Sequence, residues 1–249
     1  SLRTTRCTPY TGIYEERAAM TTTRRNALAA GVCFLVAAAT SIVALALYQP
    51  VLGHPDYVTG GSADTSVAVG AFLEVLLAIT VIGTSVFLYP VVRRQDAAIA
   101  LGYVGGRILE AAVIVTGIVS VLAVVSLRQD VGSSADPATA QLVVRALVGL
   151  HDATFLMGPG LVIGVNTFLL AWLMLRSGLV PRWIAVVGVV GGPLVLISST
   201  AVLLGAYDQV STVAGIGALP VFVWEMSLAV YLVAKGFRPA ALQRLGVAA

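Results

Sequence analysis

Long apolar runs separated by short polar stretches set the pattern of this chain from about residue 27 onward. Six segments can be marked. They are about Ala27 to Tyr48, Val67 to Tyr89, Ala97 to Leu127, a stretch within Ala138 to Leu175, Trp183 to Leu204, and Val213 to Phe237. Each is long enough for a helix to cross the hydrocarbon core of a bilayer, which takes roughly 20 residues. Only helices and closed barrels satisfy their backbones in lipid. The roughly ten-residue alternating stretches of a barrel do not occur in this sequence. The pattern therefore predicts an all-α bundle of six transmembrane helices.

Two segments need comment. The first contains Ala44-Leu45-Ala46, which resembles a signal-peptide cleavage site. Its run of about 22 apolar residues exceeds the 7 to 15 of a signal core, so it is read as a retained span. The fourth covers about 38 residues, or about 57 Å if helical throughout. Gly158-Pro159-Gly160 falls inside it and predicts a kink or break there. Pro193 and Pro220 predict further kinks in the fifth and sixth helices. Gly102 and Gly106, Gly160 and Gly164, and Gly188 and Gly192 stand four apart, a spacing that lets helices approach closely.

Composition agrees with the periodicity. Hydrophobic residues make up 58% of the 249 and charged residues 11%, against about 25% charged in soluble domains. The net charge is +3, yet the basic residues sit between apolar runs instead of forming one face. That distribution excludes nucleic acid as a partner and marks topology. Arg24, Arg25, Arg93, Arg94, Arg176, Arg182, Lys235, Arg238 and Arg244 fall on one set of loops and ends. Asp56, Asp64, Asp130, Asp136 and Asp208 fall on the other, with Arg128 as their one basic neighbour. Both termini are accordingly placed in the cytoplasm. Residues 1–19 are polar and aperiodic and precede Met20, so they are read as a disordered or artefactual leader. Residues 20–239 are the membrane domain and 240–249 a cytoplasmic tail.

Charges inside the apolar segments carry the functional question. Glu74, Arg107, Glu110, Arg145, His151, Asp152 and Glu225 all lie within them. One charge at the bilayer centre costs about 2.5–3.5 kcal/mol, so these groups are expected to face one interior and pair there. Arg107 and Glu110 are three apart on one helix face, which they share with Tyr103 and Gly117. Arg145, Asp152, Pro159 and Asn166 recur every seven residues and predict one polar stripe. Arg107 is the expected hub for carboxylates from other helices. Four acids against two arginines leave a surplus that a proton, a metal ion or a cationic ligand could complete.

Other chemistry is thinly represented. Only His151 stands inside the bundle, which argues against bis-histidine haem. His151 with Asp152, Glu110 and Glu225 could ligate one metal ion, but no metal or cofactor is assigned. No nucleophile motif, phosphate loop, His-Glu-x-x-His or Cys-x-x-Cys occurs, so catalysis is not favoured. Cys33 lies in an apolar run, so no disulfide framework is read.

Three stretches also carry a family likeness. These are LYPVVRRQDAAIALGYVGGRILEAAVI, LHDATFLMGPGLVIGVNTFLLAWLMLRSGLVPRWIAVVGVVGGP and LPVFVWEMSLAVYLVAKGF. Together they resemble the bacterial multi-pass membrane family known as domain of unknown function 4386, over about Arg24 to Pro239. The resemblance implies a six- or seven-helix protein of the bacterial plasma membrane and supplies no activity. Its recognisable positions here are Arg107, Glu110, His151, Gly158, Pro159, Asn166, Pro181, Arg182, Trp183 and Glu225. Ala153 departs from the pattern. Two functions are therefore carried forward. One is binding or translocation of a small ligand, ion or proton at the intramembrane cluster; the other is a structural or regulatory subunit whose charges only fix helix packing.

Overall fold

The computed structural model describes residues 10–53, 57, 63–131 and 136–247, without the side chains of residues 10–21, 130, 131 and 137. His54, Asp56 and Cys7 lie outside the described residues. Its helices are α1 (Tyr10–Leu52), α2 (Asp64–Val92), α3 (Ala97–Val131), α4 (Pro137–Phe155), α5 (Ile163–Ser177), α6 (Arg182–Leu203), α7 (Thr212–Ala234) and α8 (Pro239–Arg244). No strand occurs among the described residues. Six helical stretches are long and apolar enough to cross a membrane, with α4 and α5 forming one of them. The chain is a multi-pass helical membrane protein, as the hydropathy pattern predicts.

The spans form a closed ring. Each packs on its neighbours in sequence, and α7 returns to α1. Their basic ends lie together. Arg24 donates to the carbonyls of Leu232 and Val233 at 2.9 and 2.7 Å, and Arg244 donates to the Ser177 carbonyl at 3.2 Å. At this end α8, which enters the stretch 240–249 expected to be a cytoplasmic tail, buries Ala241 and Leu242. The sixth span ends at Ala234, three residues before the predicted Phe237, because Gly236 turns left-handed with φ +72°. The backbone of α1 is already helical at Tyr10, ahead of Met20, where the polar composition predicted no structure.

Span lengths fix relative depth. α6 has 22 residues, about 33 Å and enough for one bilayer. α3 has 35, about 13 residues or roughly 20 Å more, and it projects past α6 at the end opposite the arginines. There Asp64 accepts from the Tyr57 hydroxyl at 2.5 Å and pairs with Arg128. The Arg128 guanidinium lies over the Tyr57 ring at 5.2 Å. Burial and the Asp64 acceptor push the Tyr57 hydroxyl up to about 12.

The fourth span neither breaks nor continues as regular α-helix. Leu156–Val162 is π-helical, and the Ile163 N–H bonds the Gly158 carbonyl five residues back. Pro159 has no N–H to donate, so a wider turn there loses less than a regular one would. Two buried cores fill the ring. One lies at the basic end around Phe34, Tyr103, Leu170, Met174, Trp224 and Leu228. The other lies between the projecting ends of α1, α2, α3 and α4. The candidate site sits between them.

Candidate functional site

Arg107 lies ten residues into α3, about 15 Å from its basic end and near mid-bilayer. Its Nη1 donates to both oxygens of Glu110, at 3.1 and 3.3 Å. Nη2 donates to Glu225 Oε1 of α7 at 2.9 Å, and Nε donates to the Tyr103 hydroxyl at 3.3 Å. The Thr84 hydroxyl is occupied as donor to the Val81 carbonyl at 2.7 Å. It therefore accepts from Tyr103, 3.1 Å away. The Phe34 and Tyr103 rings face the guanidinium, each at 5.5 Å. All three guanidinium nitrogens thus donate, to two carboxylates and a phenol. This answers why a bilayer-spanning helix carries it: α1, α2, α3 and α7 all converge on it.

Asn166 of α5 completes the cluster by donating Nδ2 to Glu110 Oε2 at 2.8 Å. Its Oδ1 rests against Gly106, where a Cβ would stand 1.8 Å from that oxygen. A glycine is required there. Glu110 thus has both oxygens bonded and is buried, whereas Glu225 bonds through Oε1 alone, and its side chain is 18% exposed. Glu225 Oε2 makes no hydrogen bond among the described residues.

That exposure faces a cavity of about 330 Å³, within the range of small-molecule sites. Arg107, Glu110, Glu225 and Thr84 line its inner end; Glu74, Gly117 and His151 line it nearer the projecting ends. Below Arg107 the packed core around Trp224 closes it toward the basic end. His151 is 4% exposed and its Nδ1 has no hydrogen-bond partner. The Tyr48 ring meets His151 edge-on at 5.7 Å, and its buried hydroxyl lies beside the Glu74 carboxyl without an ideal hydrogen bond. Glu74 lies within electrostatic reach of both. Three carboxylates, Glu74, Glu110 and Glu225, therefore share one cavity with one arginine.

Two predicted site residues fall elsewhere. Arg145 is exposed on α4, and the Asp152 side chain is 61% exposed, 3.7 Å from His151 Nδ1. The seven-residue stripe does not form. The π-helical turns between Asp152 and Asn166 take more residues per turn, so a spacing of seven no longer returns to the same face. His151, Pro159 and Asn166 reach the interior, while Arg145 and Asp152 turn outward nearer the projecting end. Among the described residues, no group of three or more His, Cys, Asp or Glu side chains is placed to hold a metal ion. Thr84, Tyr48 and Phe34 were not foreseen. Thr84 interrupts an apolar helix, which was an available signal, whereas Tyr48 ends its segment and looks like an interfacial aromatic.

Fold and site together define a polytopic helical membrane protein with a charged cavity closed toward one face. The sequence matches the family described as a domain of unknown function, DUF4386, over residues 29–236, and the chain belongs to that family. No curated protein and no solved structure matches it.

Proposed function

We propose that this protein binds a small cationic ligand, or a proton, at Glu225 within the membrane cavity. The carrying observation is the imbalance at Arg107: one guanidinium serves two carboxylates, and of those two Glu225 alone keeps an uncommitted oxygen on the cavity side. An ammonium group donating to that oxygen restores local neutrality in a low-dielectric setting, where such a bond is strong. Glu74 adds a second acidic wall and disfavours anions. The closed floor supports binding more than free passage. With the arginine-rich ends in the cytoplasm, the cavity faces the outer side of a bacterial plasma membrane.

Titration calorimetry of the purified protein with butylamine and with butyrate tests this. We expect saturable amine binding in the wild type, none with butyrate, and none in Glu225→Gln. Amine binding that survives Glu225→Gln would reject the assignment. A second reading, a subunit whose charges only lock the helices, is favoured by the completeness of the Arg107–Glu110–Asn166 network. It predicts no saturable ligand at all.

A further inference from the structure

The wall above Glu225 is open to the membrane, and this points to a ligand class. Ile42 and Leu45 of α1, Phe222 of α7 and Phe155 of α4 line the cavity. The same side chains are largely exposed, Ile42 by 60% and Phe222 by 48%, more than an enclosed cavity wall would leave open. A residue that both lines a cavity and faces outward marks a gap in the wall. The close contacts between α1 and α7 lie toward the basic end, where a Cβ on Gly31 would meet Val233 and Ala229 within 2.8 Å. Farther out, the gap is bordered by apolar side chains. Phe222 lies ten residues into the 23-residue α7, about 15 Å from its outer end, so the gap opens into hydrocarbon.

We infer that the cavity takes a single-chain amphiphile with a primary ammonium head, admitted sideways from the bilayer. This rests on the reading of Glu225 above and adds the tail and the route. The head reaches Glu225 Oε2, donating as an ammonium does with its three N–H groups. The chain leaves past Phe222, Ile42 and Leu45 into lipid. An anionic head on the same chain meets Glu74, Glu110 and Glu225 against one arginine and is rejected. The tail stays in lipid and holds the ligand in the bilayer at the mouth of the gap, where each methylene moved out of water is worth roughly fourfold in partitioning, about 0.8 kcal/mol.

The test uses the full chain in phosphatidylcholine nanodiscs and a dodecylamine carrying a diazirine in mid-chain. After photolysis, adducts are located by mass spectrometry. Unlabelled dodecylamine, dodecanoic acid, dodecanol and butylamine serve as competitors. We expect adducts on the peptides holding Ile42, Leu45 and Phe222. Excess dodecylamine should reduce them at least tenfold, and dodecanoic acid should not. Glu225→Gln, checked for a wild-type circular dichroism spectrum, should lose the competable adducts. Butylamine competing as well as dodecylamine at equal free concentration would overturn the lateral amphiphile while leaving Glu225 as an amine site. Adducts spread over the lipid-facing surface and untouched by dodecylamine would also overturn it. If butylamine in addition fails to bind in calorimetry, the Glu225 reading falls with it.

Discussion

Replacing Arg107 by methionine keeps most of the side chain's volume and removes the charge that Glu110 and Glu225 share. Breaking a buried ion pair from one side costs about 3–5 kcal/mol, because the remaining charge stays buried. The two acids are not equivalent. Glu110 is 3% exposed and retains only the Asn166 amide, whereas Glu225 is 18% exposed and can hydrate from the cavity. Most of the loss should therefore sit on Glu110. Arg107→Met is expected to lie about 3–5 kcal/mol below wild type. Adding Glu110→Gln should recover about 2–3 kcal/mol of that, since contacting residues couple by up to about 3 kcal/mol. Adding Glu225→Gln should recover about 1 kcal/mol or less. Reversible unfolding in mixed micelles, followed by circular dichroism over denaturant titrations, gives the four free energies needed for each cycle. Coupling of Arg107 to Glu225 that exceeds its coupling to Glu110 would refute the reasoning. So would a single variant within about 1 kcal/mol of wild type.

Other outcomes follow from the same geometry. Gly106→Ala places a Cβ 1.8 Å from Asn166 Oδ1 and should cost about 1–3 kcal/mol as an overpacked contact; in an Asn166→Ala background most of that cost should vanish. Gly192→Ala should be at least as damaging in the same unfolding assay, since its Cβ would meet the Gly164 carbonyl at 2.6 Å, a backbone atom that cannot rotate away. The Thr139 hydroxyl and N–H hold the Asp136 carboxyl below its ordinary value. The native pKa is the lower one, so its contribution is complete above the unfolded carboxylate range near 3.9 and fades as pH falls through that range and below. Hydrogen exchange in the first turn of α4 should accelerate below about pH 4, and Asp136→Ala should remove that pH step. Single cysteines at Gln95 and Asp208, with Cys7 and Cys33 replaced by serine, should react with a membrane-impermeant maleimide from opposite faces, Gln95 from the cytoplasmic side.

Span number, approximate ends and the Arg107 hub were legible because each rests on a one-dimensional cost. Apolar length and unpaired charge can be read without knowing the fold. The pairing of Arg107 with Glu110 followed from helical spacing alone. The fate of Asp152 did not follow, because it depends on how many residues each turn takes between Asp152 and Asn166. Gly158-Pro159-Gly160 signalled irregularity there but not its sense, and a π-helical stretch rotates one half of the span against the other. The surplus of acid over arginine survived with changed membership: Glu74 remains and Asp152 leaves.

The most direct test of the account compares Glu225→Gln with Glu110→Gln in one thermal-stability experiment, with and without a saturating primary amine. Glu110 has both oxygens bonded inside the protein, whereas Glu225 offers one to the cavity. The account predicts that Glu110→Gln lowers the melting temperature markedly, while Glu225→Gln lowers it little and abolishes the amine-induced rise seen in wild type. Equal destabilisation by both variants, with no amine response in wild type, would contradict it.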